Sequence, residues 1–151
     1  MDRIEIKGYK SIKESNLPLR PLNILIGSNG SGKSNFLSFF SFLENIYNKN
    51  LQGYTALNGG VEKFLHKGIK ITKNIECYLK FNQNGYSFTL GNNQGQFLFE
   101  KEGLWYDNNP YYNNPMDISN YNSETNLQRE TAPRAEFIKN YLSEVKKYHF
   151  H

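Results

Sequence analysis

"NILIGSNGSGKSNFLSFF", residues 23–40, decides how this chain is read. It opens with apolar, largely β-branched residues, crosses three glycines, and continues with phenylalanines at three- and four-residue intervals. That order predicts a strand, a loop and a helix. Gly27-Ser28-Asn29-Gly30-Ser31-Gly32-Lys33-Ser34 matches G-x-x-x-x-G-K-[ST], the Walker A phosphate-binding pattern. Glycines let such a loop wrap until successive backbone N–H groups point inward at phosphate oxygens. The following helix offers its unpaired N–H groups and positive dipole end to the same anion.

Within the motif, Lys33 is the catalytic candidate, reaching toward the β- and γ-phosphates, and the Ser34 hydroxyl is the candidate Mg²⁺ ligand. ATP with Mg²⁺ is the expected ligand pair. Working outward, "RIEIKGYKSI", residues 3–12, alternates apolar and polar residues through Ile4, Ile6 and Tyr9 and predicts a half-buried strand. "LPLRPL" breaks regular structure at Pro18 and Pro21, and "LNILIG", residues 22–27, predicts a fully buried central strand. Downstream, Phe36, Phe39, Phe40, Leu43, Ile46 and Tyr47 mark the apolar face of a helix over about Ser34 to Asn48. "LNGGVEKFLHKG" suggests a loop at Gly59-Gly60 entering one or two helical turns, stopped by Gly68.

The period then changes. "NIECYLKFNQNGYSFTLGNNQGQFLFEKEGLWY", residues 74–106, holds short β-prone runs separated by "QNG", "GNNQG" and "KEG". It predicts an antiparallel meander of three or four strands with a type I′ turn at Asn84-Gly85. Residues 107–126, rich in Asn, Tyr and Pro, predict a long surface loop. Thr131 as cap, Pro133 in the first turn, and Ile138, Tyr141, Leu142 and Val145 predict a final helix. "YHFH", residues 148–151, looks like the start of a strand, which suggests an incomplete domain.

The length, 151 residues, fits one domain. No apolar run approaches the ~18 residues of a membrane span, no signal peptide is evident, and the lone Cys77 excludes an internal disulfide framework. A cytoplasmic setting without membrane contact is expected. A formal charge of +4 tolerates an anionic partner without requiring one.

Hydrolysis needs an acidic strand end as well as a cradle. "FLFE", residues 97–100, is the nearest match, but it lacks Asp and lies in the meander, so Glu100 reads as a solvated strand-end residue. "LNGGVE" resembles an LSGGQ signature but lacks the Ser and follows the phosphate loop too closely. His149 and His151 would share one side of a strand, but two ligands do not make a metal site. His66 has no identifiable partner, Cys77 reads as a small core residue, and Trp105 as packed on the meander. Lys63, Lys67, Lys70 and Lys73, with Lys146 and Lys147, form a basic cluster that reads first as a solvated face; without a base-reading motif it would offer nucleic acid only sequence-independent attraction.

"IEIKGYKSIKESNLPLRPLNILIGSNGSGKSNFLSFFSFL" resembles the opening of RecF/SMC-like ABC-type ATPases. Within that branch the chain is similar to the stand-alone AAA-type ATPases of prokaryotes, with "GGVEKFLHKG", "NGYSFTL", "FEKEGLWY" and "KKYHFH" also having counterparts. The resemblance implies ATP hydrolysis by head-to-head dimers, often in DNA repair, chromosome maintenance or phage defence. It places Lys10 and Ser11, the family's N-terminal "KS", near the nucleotide, and adds Asn29 and Asn35 from "G-x-N-G-x-G-K-S-N" to the binding residues. In relatives the signature, Walker B strand and switch histidine follow the position of "YHFH". Residues 1–151 would thus be the N-terminal, Walker A lobe of an ATPase head.

The expected fold is α/β: a P-loop NTPase of ABC-type lobe I, truncated, with a mixed sheet holding the Walker A strand and an antiparallel meander. The leading function is an Mg-ATP-binding lobe that hydrolyses ATP in DNA-related work when completed by a C-terminal half, a partner or a second copy. A non-catalytic nucleotide sensor or protein-interaction fragment is the alternative. A small kinase or GTPase is disfavoured by the meander and the lack of N-K-x-D.

Overall fold

Ile4 and Ile6 turn one side of an extended segment inward, and β1 (Arg3–Tyr9) forms as the alternation predicts. The computed structural model describes residues 1–106 and 115–145. Tyr9 is out of phase with Ile4 and Ile6, yet it too is fully buried. The preceding Gly8 resolves this: its φ is 76°, and a Cβ there would stand 2.4 Å from the Asn74 carbonyl oxygen. Glycine alone accepts both that conformation and that approach. A turn at Lys10-Ser11 then leads into β2 (Ile12–Pro18), antiparallel to β1.

The chain continues through α1 (Lys33–Tyr47), α2 (Leu51–Leu57), α3 (Val61–Phe64), β3 (Asn74–Phe81), β4 (Asn84–Asn93) and β5 (Gln96–Tyr106). The two-residue β6 (Met116–Asp117), a 3₁₀ turn at Leu127–Arg129 and α4 (Pro133–Ser143) complete the described elements. The strands form one six-stranded sheet in the order β2-β1-β3-β4-β5-β6, and every pairing is antiparallel.

Several expectations need correcting. The sheet is antiparallel rather than mixed, because "LNILIG" does not join it. Residues 22–27 have no regular secondary structure, and Leu22, Ile24 and Ile26 are 78%, 74% and 90% exposed. A buried central strand needs hydrogen-bonded neighbours on both edges, and among the described residues none pairs with this segment. The β3–β4 turn lies at Asn82-Gln83, since Phe81 pairs with Asn84. Moving the turn by two residues slips the pairing by four, an even number that keeps Tyr86, Phe88 and Leu90 on the apolar face, so alternation could not choose between the two turns. "KEG" lies within β5, Thr131 makes no cap, and Pro133 begins α4 after Ala132.

Residues 115–126 are also more than surface loop. The Ile118 amide donates to the Glu102 carbonyl at 2.9 Å and the Phe99 amide to the Asn122 carbonyl at 2.9 Å. Glu124 accepts the Leu51 and Gln52 amides at the start of α2, at 3.0 and 3.1 Å. Residues 107–114 of the expected loop, the "YHFH" strand, Lys146, Lys147, His149 and His151 lie outside the described residues.

The α1 face lies on the sheet through aromatic rings. Phe42 is 5.3 Å from Tyr9, 5.4 Å from Phe64 and 6.0 Å from Phe97, between ring centres. Phe40 and Tyr47 pack at its margin. Cys77 is buried, which pushes its thiol pKa up, as befits a core residue. No helix among the described residues is long and apolar enough to cross a membrane.

Candidate functional site

Gly30 and Gly32 have φ of 83° and 94°, left-handed values that a side chain would strain. They let residues 27–32 curl back before α1 begins at Lys33, with Gly32 as its N-cap. The Phe36 amide donates to the Gly32 carbonyl at 2.8 Å, which leaves the amides of Lys33, Ser34 and Asn35 without partners in the helix. No acidic residue stands in this first turn to oppose an anion. Residues Asn29–Asn35 line a hollow of about 340 Å³.

The Lys33 side chain folds back over its own loop. Its Nζ donates to the Gly27 carbonyl at 2.6 Å, the Ser28 carbonyl at 2.7 Å and Ser31 Oγ at 3.0 Å. Three oxygens from one loop thus converge on one ammonium. A Cβ at Gly27 would approach Ser31 Oγ to 2.7 Å, so the close wrap depends on a residue without one. Ser34 is exposed beside the hollow. The unpaired amides, the lysine and the open space suit a phosphate group, and Ser34 Oγ is the hydroxyl available to a divalent cation there.

The β1–β2 turn meets this site from the side. Asn35 Nδ2 donates to Ser11 Oγ at 2.7 Å, and a Cβ on Gly32 would lie 3.2 Å from the same oxygen. Lys10 is aimed farther along α1: its Nζ donates to Ser38 Oγ at 3.2 Å and lies 5.3 and 5.1 Å from the ring centres of Tyr9 and Phe64. Ser11 therefore borders the loop, whereas the Lys10 ammonium sits one helical turn beyond it. Burial raises the pKa of Tyr9, whose hydroxyl is 3.0 Å from Ser38 Oγ, so it stays a neutral hydrogen-bonding group.

Two residues of this arrangement went unrecognised in the sequence. Ser38 falls one turn after Ser34, a spacing that alone says nothing of its role. His66 does have a partner, the Lys10 carbonyl, 2.8 Å from Nδ1. That contact spans 56 positions, and no local pattern announces it.

The remaining candidates stand apart. Glu100 is exposed on β5. Gly59 and Gly60 form the left-handed entry to α3. Lys63 is exposed on α3, and Lys67, Lys70 and Lys73 are exposed between α3 and β3. Trp105 packs edge-on against Tyr78 and donates to Ser87. The described residues hold no cluster of three or more His, Cys, Asp or Glu suited to a metal. A larger concavity, about 1120 Å³, opens elsewhere among the described residues, on the outer sheet face. Its walls carry Glu5, Glu76, Glu100 and Asp117 against Lys7 and Lys101, an excess of carboxylates unsuited to phosphate, so the smaller hollow is the better site.

A profile of the AAA ATPase domain family matches residues 1–149. No curated protein matches the chain.

Proposed function

The chain belongs to the AAA ATPase domain family, a family of nucleotide-binding ATPases, and from that premise we propose that it is the Mg-ATP-binding lobe of a RecF/SMC-like ATPase. The observation that carries the reading is the convergence of Gly27 O, Ser28 O and Ser31 Oγ on Lys33 Nζ, beside the unpaired amides of α1. When nucleotide enters, Lys33 exchanges these loop oxygens for phosphate oxygens, and the amides of residues 33–35 donate to the same charge. Ser34 Oγ would hold Mg²⁺, which would add to the neutralisation of the phosphates. Gly27–Ser34, Asn35 and Ser11 form the binding set, with Lys10 supporting the turn that carries Ser11.

Hydrolysis in this reading requires a completing element, either a C-terminal ATPase half or a second copy of the chain. Support comes from the exposed Leu22, Ile24 and Ile26, which lead directly into the loop and leave an apolar segment open to a further strand. Attraction to DNA is supported by the exposed lysines from residue 63 to residue 73. The proposed setting is the cytoplasm, where ATP and Mg²⁺ are available.

Thermal melting with and without Mg-ATP, with Lys33→Ala in parallel, tests the binding reading. Nucleotide at 100 times its Kd adds about 2.7 kcal/mol, or roughly 5–10 °C in a chain of this size. The shift should appear in the wild type and vanish in the variant. A cooperative melt that nucleotide does not move would reject the cradle and leave a protein-interaction module as the better account.

A further inference from the structure

We propose that His66 is a positioning residue for the phosphate loop, holding the Lys10-Ser11 turn against Gly32 and Asn35 through the Lys10 carbonyl. A carbonyl oxygen only accepts, so the Nδ1 at 2.8 Å carries the proton. The bond does not stand alone. The His66 amide donates to the Gly8 carbonyl at 2.9 Å and the Lys10 amide to the Phe64 carbonyl at 2.8 Å, while Thr72 Oγ1 donates to the His66 carbonyl at 2.5 Å. Residues 64–66 therefore grip residues 8–10 from one side, with Tyr9 and Leu65 forming a β-bridge.

The grip is needed because the turn is unfavourable in itself. Lys10 has φ 47°, a left-handed conformation that a residue with a side chain keeps only where its surroundings hold it. On its other side the turn is tied to α1 at two points, Ser11 to Asn35 and Lys10 to Ser38. A continuous path thus runs from the imidazole through the Lys10 carbonyl and Ser11 to Gly32 and Asn35. His66 does not line the hollow between Asn29 and Asn35, so its influence on a bound phosphate is indirect. Loss of the Nδ1 bond would free the carbonyl, loosen the turn and remove the support beside the first turn of α1.

The effect on nucleotide rests on the binding reading above, so the test has two arms. His66→Leu removes the donor, and His66→Asn restores an N–H near the position of Nδ1. In the first arm, hydrogen–deuterium exchange is followed on the nucleotide-free chain. His66→Leu should speed exchange about fivefold over residues 9–12 and 31–40, the size expected for one lost hydrogen bond. Exchange in β4 and α4 should not change, and His66→Asn should return it to the wild-type rate. In the second arm, titration calorimetry should find Mg-ATP binding weakened by a similar factor in His66→Leu and recovered in His66→Asn. A uniform rise in exchange, no rise over residues 31–40, or no rescue by Asn would overturn the proposal. If the wild type binds no Mg-ATP, the binding reading fails, while the exchange arm still decides the role of His66.

Discussion

At the scale of single residues, Glu102 is the most constrained charge-bearing group described. It is 2% exposed and accepts from Tyr86 Oη at 2.6 Å, Thr125 Oγ1 and the Asn126 amide at 3.0 Å. Burial raises its pKa above the ordinary 4.5, and these hydrogen bonds pull back only part of the shift. A raised folded-state pKa means that the folded chain binds the proton more tightly than the unfolded chain. The resulting stability is full below pH 4.5 and is lost as pH rises through the folded-state value. Glu102→Gln can keep the contacts, with its Oε1 facing the Asn126 amide and its Nε2 the two hydroxyls. Urea midpoints across pH 4 to 8 should therefore diverge, with the wild type losing ground relative to Glu102→Gln as pH rises. A parallel pH dependence in both proteins would show that Glu102 titrates normally. Gly30 and Gly32 were legible at this scale because a left-handed φ is a local requirement; the burial of Glu102 was not, since "KEG" looks like a turn until its neighbours are known.

At the scale of elements, the decisive segment is Leu22–Ile26. Its composition is that of a core strand, and its exposure is that of a surface loop. The double variant Ile24→Glu/Ile26→Glu separates the two. With both side chains in water, its unfolding free energy should stay within about 0.5 kcal/mol of wild type per site. Burial within a sheet would instead make each buried carboxylate cost several kcal/mol. Urea denaturation distinguishes these outcomes directly. The helix after the loop buries Phe36, Phe39, Leu43 and Ile46 at the spacing its periodicity predicts, but Phe42, which that reading left out, is buried as well, and Phe40 and Tyr47 pack only at the margin. Both hairpins were legible as hairpins, and the β4–β5 turn falls at Gln94-Gly95 within "GNNQG", but the β3–β4 turn was not legible: two registers satisfy the same alternation, and contacts across the sheet select one.

At the scale of the whole molecule, α1, α2, α3 and the sheet meet in one aromatic cluster. Phe42 carries it, since its ring meets β1, α3 and β5 at once through Tyr9, Phe64 and Phe97. Phe42→Ala should cost about 3–5 kcal/mol, a large share of the 5–15 typical of a whole domain. Circular dichroism during urea unfolding would measure it. A loss below 1 kcal/mol would mean that the cluster is not the common core.

The sequence by itself determined what depends on neighbours within a turn or two: the loop with its glycines and lysine, the amphipathic α1, the alternating strands and Pro133 at the start of α4. Tertiary structure alone decided the rest. It left "LNILIG" outside the sheet, brought Ser11 to Asn35 and His66 to Lys10, and buried Glu102 beneath Thr125 and Asn126. The division follows from physics: φ preferences and side-chain periodicity act along the chain and can be read from it. Hydrogen-bond partners and burial depend on residues brought together across dozens of positions, and they exist only once the chain has folded.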